Sequence, residues 1–200
     1  MSTHGTDSYA DRTELPPLVR RALAVARAHG FAHSCRPEQG RLLHALAAGA
    51  AGRITETGTG CGVGLAWMAS AARPGVELLS VERDAGRAAL AAEVFAQVPH
   101  VRVVHGDWTE IYRHAPSDLL VLDGGGNGKQ TEPADPERLL TAGGVLVVDD
   151  FTPSDGWPPR HLGEPDHARL HWLGHPALRA VDLRLAPDLS TVVATRVPPG

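Results

Sequence analysis

The chain has 200 residues, 42% hydrophobic and 21% charged, which is enough for one domain with a sizeable core. Its formal charge of −4 and lack of any Lys/Arg block exclude a nucleic-acid groove, which needs clustered cations. Cys35 and Cys61 stand alone, without the spacing of a disulfide framework or zinc knuckle, and no apolar run approaches the ~18 residues that span a bilayer. A reducing cytoplasm, with no export and no membrane, is the expected setting.

Residues 1–12 are small and polar, with little to bury, and predict a disordered tail ahead of a single domain over 13–200. Pro16-Pro17 opens a helix with Leu18, Leu23, Val25 and Ala26 on its apolar side and Gly30 as its stop. Pro37 opens a second, Glu38 to about Ala48, in which Leu42, Leu43 and Leu46 share a packing face. Both read as cover for one face of a sheet.

The first strand then breaks into Glu56-Thr57-Gly58-Thr59-Gly60-Cys61-Gly62, followed by an apolar helix over roughly Val63 to Ala72. Residues without a Cβ let the backbone turn sharply and approach a ligand, and the helix aims its N-terminal N–H groups at the same place. The dinucleotide spacing G-x-G-x-x-G fails in every register, because Val63, Leu65 or Trp67 falls at the third glycine. The pattern is instead acid-x-Gly-x-Gly-x-Gly. Glu56 would repel a pyrophosphate and suits a cationic ligand. The stretch resembles the first motif of the class I S-adenosylmethionine-dependent methyltransferases. The resemblance implies that Glu56, Thr57, Gly58, Thr59, Gly60 and Gly62 contact the cofactor, the acid lying near its amino-acid end.

Val76 to Val81 predicts the second strand, ending in Glu82, which stands 82 − 58 = 24 residues past Gly58. An acid there can accept from both hydroxyls of a ribose, or simply start the Arg83 to Ala96 helix as an exposed carboxylate. Val101 to His105 is the third strand, and Gly106-Asp107-Trp108 follows. In the methyltransferases this position serves the adenine, which implies Asp107 for its amine and Trp108 for a ring contact. The local reading makes Asp107 a helix N-cap and Trp108 a core residue.

The fourth strand, Leu119 to Leu122, ends in Asp123, and the fifth, Gly144 to Val148, ends in Asp149-Asp150. Carboxylates at the carboxyl ends of central strands lie where open α/β sheets place their chemistry, and three oxygen ligands suit a hard cation such as Mg²⁺. Acid at the fourth strand end and an acid pair after the fifth look like the catechol-type, metal-dependent O-methyltransferases. Arg36-Pro37-Glu38-Gln39-Gly40 and the Leu139-Leu140-x-x-Gly143-Gly144-Val145-Leu146 approach to the fifth strand share that likeness, which runs from about Ser34 to Arg196. It implies a divalent cation on Asp123, Asp149 and Asp150, S-adenosylmethionine as cofactor, and methyl transfer to a hydroxyl of a small molecule. Two departures stand out. Asp150 replaces the family's Asn, and Lys129, the counterpart of a lysine acting on the acceptor hydroxyl, comes three positions late, behind Gly124-Gly125-Gly126-Asn127-Gly128. Asp149-Asp150 capping a loop and Asp123 only anchoring the methionine end remain open, as do a metal-independent N- or S-methyltransferase and a non-catalytic cofactor-binding protein.

The Gly124 to Lys129 run misses the P-loop pattern at both ends, with Asp123 at the first glycine position and Gln130 after Lys129. His167, His171 and His175 recur every four residues on a helix expected over Pro165 to Leu173 and read as a solvated face. Thr152 to Gly163 is a long Pro/Gly-rich connection in which Trp157 offers an aromatic wall for an acceptor or a static crossover. Val181 to Leu185 and Thr191 to Thr195 predict a closing hairpin. The expected fold is therefore α/β and Rossmann-like: a mostly parallel seven-stranded sheet with a C-terminal antiparallel hairpin and helices on both faces. The sequence leaves a homodimer open.

Overall fold

Leu- and Val-rich runs make β2 and β4 strands buried on both faces, as the interior of a parallel sheet requires. The computed structural model describes residues 4–123 and 128–198. Its central strands are β1 (Arg53–Thr57), β2 (Glu77–Glu82), β3 (Val101–His105), β4 (Ser117–Leu122) and β5 (Leu140–Phe151). A short pair, β6 (Arg160–His161) and β7 (Glu164–Pro165), follows, and β8 (Leu178–Ala186) and β9 (Leu189–Arg196) form the closing hairpin. The seven-stranded sheet runs β3-β2-β1-β4-β5-β9-β8, with β3 to β5 parallel, β9 antiparallel to β5 and β8 antiparallel to β9. The chain order reverses between β1 and β4, the crevice where open α/β sheets bind ligands.

Alternate residues of each strand enter opposite layers. Leu119 and Val121 pack with α1 (Pro17–Ala28), α2 (Pro37–Ala47), α3 (Val63–Ala69) and the end of α4 (Ala85–Val94). Leu120 and Leu122 pack with a 3-10 helix (Trp108–His114), α5 (Pro136–Leu139) and Trp172 of α6 (His167–Leu173). The expected sheet, hairpin and two helical layers are all present.

Several boundaries differ for identifiable reasons. α3 stops at Ala69, where the Ser70 hydroxyl donates to the Ala66 carbonyl and competes with the helical ladder. β5 is longer than its apolar run, because it pairs with β4 on one side and β9 on the other. Pro165 belongs to β7 and not to a helix; α6 begins after Asp166, whose carboxylate accepts from the Arg169 N–H.

The N-terminal expectation is corrected from residue 4 onward. Tyr9, in a 3-10 helix (Asp7–Tyr9), is buried, its hydroxyl donating to the Cys35 carbonyl and accepting from Trp67 Nε1 at 2.9 and 3.0 Å. Thr6 donates to the Phe31 carbonyl at 2.6 Å. Composition gave no reason for order because the partners lie more than twenty residues away. Among the described residues no helix is long and apolar enough to cross a membrane.

Candidate functional site

β1 delivers its turn to the crevice, and the three glycines of the turn each take a positive φ: Gly58 at 81°, Gly60 at 55° and Gly62 at 86°. A side chain would be strained at each. Gly64 is needed for space instead, since a Cβ there would lie 2.7 Å from Glu56 Oε1.

Glu56 itself is buried beneath the turn. Its Oε2 accepts from Ser80 Oγ of β2 at 2.5 Å, and Ser80 is in turn bonded to Thr59 Oγ1 at 2.6 Å. Burial, with Asp123, Glu82 and Asp149 adding like charge against the Ser80 bond, raises the Glu56 carboxyl to about 8. Thr57 spends its hydroxyl on the Asp123 carbonyl at 3.0 Å, tying the end of β1 to the end of β4.

Glu82 braces the other side of the turn. Its Oε2 accepts from the Gly60 N–H at 2.8 Å, and its Oε1 from the Asp84 N–H at 2.9 Å and from Arg87 Nη2 at 3.0 Å. Asp107 is the N-cap of the 3-10 helix, its Oδ1 accepting from the Thr109 N–H and hydroxyl. Those bonds hold its carboxyl below the usual range. Trp108 is half-buried against Tyr112 and covers Gly128, where a Cβ would stand 3.0 Å from its ring. Asp107 is therefore an N-cap, and Trp108 packs half-buried against the core and not inside it.

The strand-end acids do converge. Asp123, Asp149 and Asp150 line one narrow cleft with His33, Ser34, Cys35, Arg36, Gln39 and Leu189. Asp149 is buried and its Oδ1 has no hydrogen-bond partner. Burial first, then the charges of Asp123 and Asp150, push its carboxyl well up. Asp150 sits at φ 71°, a left-handed conformation that Asp tolerates better than most residues. Lys129 is also buried here, and its Nζ donates to the Asp149 carbonyl at 2.9 Å while Trp172 Nε1 donates to its own carbonyl. The three-position delay therefore does not keep the lysine away from the strand ends. Gly124 to Asn127, the rest of that loop, lie outside the described residues.

Other predicted features stay apart. His171 and His175 have ring centroids 5.5 Å apart, and among the described residues no group of three or more His, Cys, Asp or Glu, the strand-end acids included, is arranged to hold a metal. Trp157 is 76% exposed and does not line the cleft. Sequence reasoning missed Ser80 and the cleft-facing role of Gln39. Ser80 left a trace as the one hydroxyl inside the otherwise apolar Leu78-Leu79-Ser80-Val81; Gln39 left none beyond its place in the Arg36 to Gly40 stretch.

Comparison with known proteins agrees with this architecture. Residues 55–151, from inside β1 to the end of β5, match the methyltransferase domain family model. Proteins of Mycobacterium tuberculosis and Mycobacterium bovis named as O-methyltransferases are 31% identical over 120 residues, 56% of this chain. The chain spans about half, 54%, of the length of these curated relatives. The O-methyltransferase TomG of Streptomyces achromogenes, solved with S-adenosylmethionine, superposes with a TM-score of 0.75 at 20% identity, over 97% of this chain and 96% of that one. The O-methyltransferase of Bacillus cereus, solved with S-adenosylhomocysteine, gives 0.76 at 18%, over 96% of each. Under 25% identical, these solved structures show that the chain shares their fold, and the matched segment from β1 to β5 is similar to a methyltransferase domain.

Proposed function

We propose that this protein transfers the methyl group of S-adenosylmethionine to a hydroxyl of a small molecule, with a divalent cation at Asp123, Asp149 and Asp150. The observation that carries the reading is the pairing of a buried acid under a glycine turn with a second acid cluster in the adjoining cleft. The turn fits a cofactor with a cationic amino-acid end. Its backbone is bare where a ligand must approach, and Glu56 can accept from an ammonium once ionised. In this reading Glu82, at the end of β2, would also take the ribose hydroxyls beside its bonds to the turn, and Asp107 with Trp108 would serve the adenine.

Asp123, Asp149 and Asp150 are the residues that would hold the cation, although among the described residues no three acids already stand in metal-binding geometry. Asp149 Oδ1 is a buried oxygen without a donor; burial first, then the Asp123 and Asp150 charges, holds its carboxyl up, and a cation would offset those charges. When bound, a divalent ion lowers the pKa of a coordinated hydroxyl and fixes its direction. The chain's own residues do the rest: Glu56 and Glu82 fix the cofactor, the cleft aligns the acceptor oxygen, and Lys129 holds the Asp149 backbone. The small probe to use is a panel of phenols and catechols with labelled S-adenosylmethionine. Methyl transfer should appear and should fall by about tenfold or more with EDTA or in Asp149→Asn. Transfer undiminished by both would remove the metal from the reading.

A second reading has one specific observation behind it. The Lys129 ammonium already supplies positive charge beside Asp149, which favours a metal-independent transferase of the same fold. Full activity in EDTA, lost in Lys129→Met, would select it.

A further inference from the structure

Gln39 is 1% exposed, and neither its Oε1 nor its Nε2 has a hydrogen-bond partner. A buried primary amide left bare on both sides is costly, and it is kept in a fold where something else completes it. Its surroundings narrow what that is. Gln39 lines the cleft with Asp123 and Asp149. One turn further along α2, Leu43 reaches within 3.8 Å of the Cβ position at Gly64, the same point that Glu56 Oε1 approaches to 2.7 Å. Next to it, Gly40 lies so close to Trp67 of α3 that a Cβ would stand 2.2 Å from the indole nitrogen, so α2 is locked against the helix that follows the glycine turn. The amide therefore shares the cleft with the ends of β4 and β5, on a helix whose next turn approaches Gly64 beside Glu56.

We propose that Gln39 binds the amino-acid end of the cofactor, its Oε1 accepting from the ammonium and its Nε2 donating to the carboxylate. A zwitterion presents a donor and an acceptor side by side, which is what the two bare atoms of the amide lack. Glu56 then serves the ammonium from below, and Gln39 adds the contact to the carboxylate that an acid cannot make. This assignment rests on the proposed use of S-adenosylmethionine.

The test compares two ligands that differ only at that end. Wild type, Gln39→Leu and Gln39→Met are titrated calorimetrically with S-adenosylhomocysteine and with 5′-methylthioadenosine, which has the nucleoside but no amino acid. Both variants should lose about tenfold or more in affinity for S-adenosylhomocysteine and less than about twofold for methylthioadenosine. Without ligand, both should melt no lower than wild type, because an unsatisfied amide has been replaced by an apolar side chain. Wild-type affinity for S-adenosylhomocysteine in either variant overturns the proposal and leaves a buried water as the partner of Gln39. Equal loss for both ligands overturns it as well, since the effect would not be confined to the amino-acid end. Failure of the wild type to bind either ligand would instead overturn the cofactor reading, and this assignment with it.

Discussion

Glu56 carries the most chemistry of any single residue in the crevice, and its burial makes it a reporter. Its carboxyl is raised from 4.5 to about 8, chiefly by desolvation. A folded-state value above the unfolded one means that the group's contribution to stability is complete below about 4.5 and is lost as pH rises toward about 8. Glu56→Gln removes that loss. Relative to wild type, the variant should gain on the order of 2–4 kcal/mol between pH 4.5 and pH 8.5, read from denaturant midpoints at the two values. A gain that is the same at both pH values would mean that Glu56 is not titrating in the fold. The same carboxyl links ligand binding to protons. An ammonium beside it favours the ionised form, so binding the amino-acid end of S-adenosylhomocysteine near pH 7 should release protons, and the calorimetric heat should vary with the ionisation enthalpy of the buffer. Buffer-independent heats that are also unchanged in Glu56→Gln would separate the acid from the ligand.

At the scale of the element, the glycine turn is a piece of backbone whose shape is fixed from both sides. Glu82 accepts from Gly60, while Gly58 donates to the Val81 carbonyl, so β2 holds the turn that β1 makes. Substitutions should sort by what they meet. Gly64→Ala puts a Cβ against Glu56 Oε1, and Gly60→Ala adds strain at φ 55° to a 2.9 Å approach to the Phe31 ring. Both should cut S-adenosylhomocysteine affinity by about tenfold or more, since a shifted turn loses its contacts together. Gly75→Ala, at φ 90° with nothing within 4 Å, should cost about 1 kcal/mol of stability and no affinity. Equal effects of all three on affinity would show that general strain, and not the shape of the turn, controls binding.

At the scale of the whole molecule, the cleft depends on contacts that close the two ends of the chain onto the sheet. Arg169 of α6 is fully buried. It pairs with Asp182 of β8 at 2.8 Å and Asp166 at 3.2 Å, donates to the Thr152 carbonyl just past the acid pair, and lies 4.9 Å from the Phe151 ring centroid. Truncating one partner of a buried ion pair strands the other, so Arg169→Met should destabilise the protein by about 3–5 kcal/mol in chemical denaturation. Arg169→Lys should rescue it only in part, because an ammonium cannot reach three acceptors with a planar fork. A cost below about 1 kcal/mol would mean the pair is effectively solvated. At the other end, Tyr9 holds Cys35 and Trp67 together and so fixes the stretch from His33 to Arg36 that walls the cleft.

The residues legible from the sequence are those whose meaning is local. Glycines at fixed spacing, an acid before them and acids at the ends of apolar runs carry their geometry in the order of the chain, because period and turn chemistry act over a few residues. That was enough for the sheet and for the strand-end position of Glu56, Glu82, Asp123 and Asp149, while the strand order and its reversal point came from the fold. It was not enough for the first residues, whose partners are remote, or for Lys129, whose ammonium reaches the Asp149 carbonyl despite its delay in sequence. Nor did it reveal the hydroxyl of Ser80 under Glu56 or the bare amide of Gln39. Those depend on which side chains from distant segments share one desolvated space. Only the packed molecule decides that, since burial sets both the cost of an unpaired polar atom and the protonation of a carboxyl.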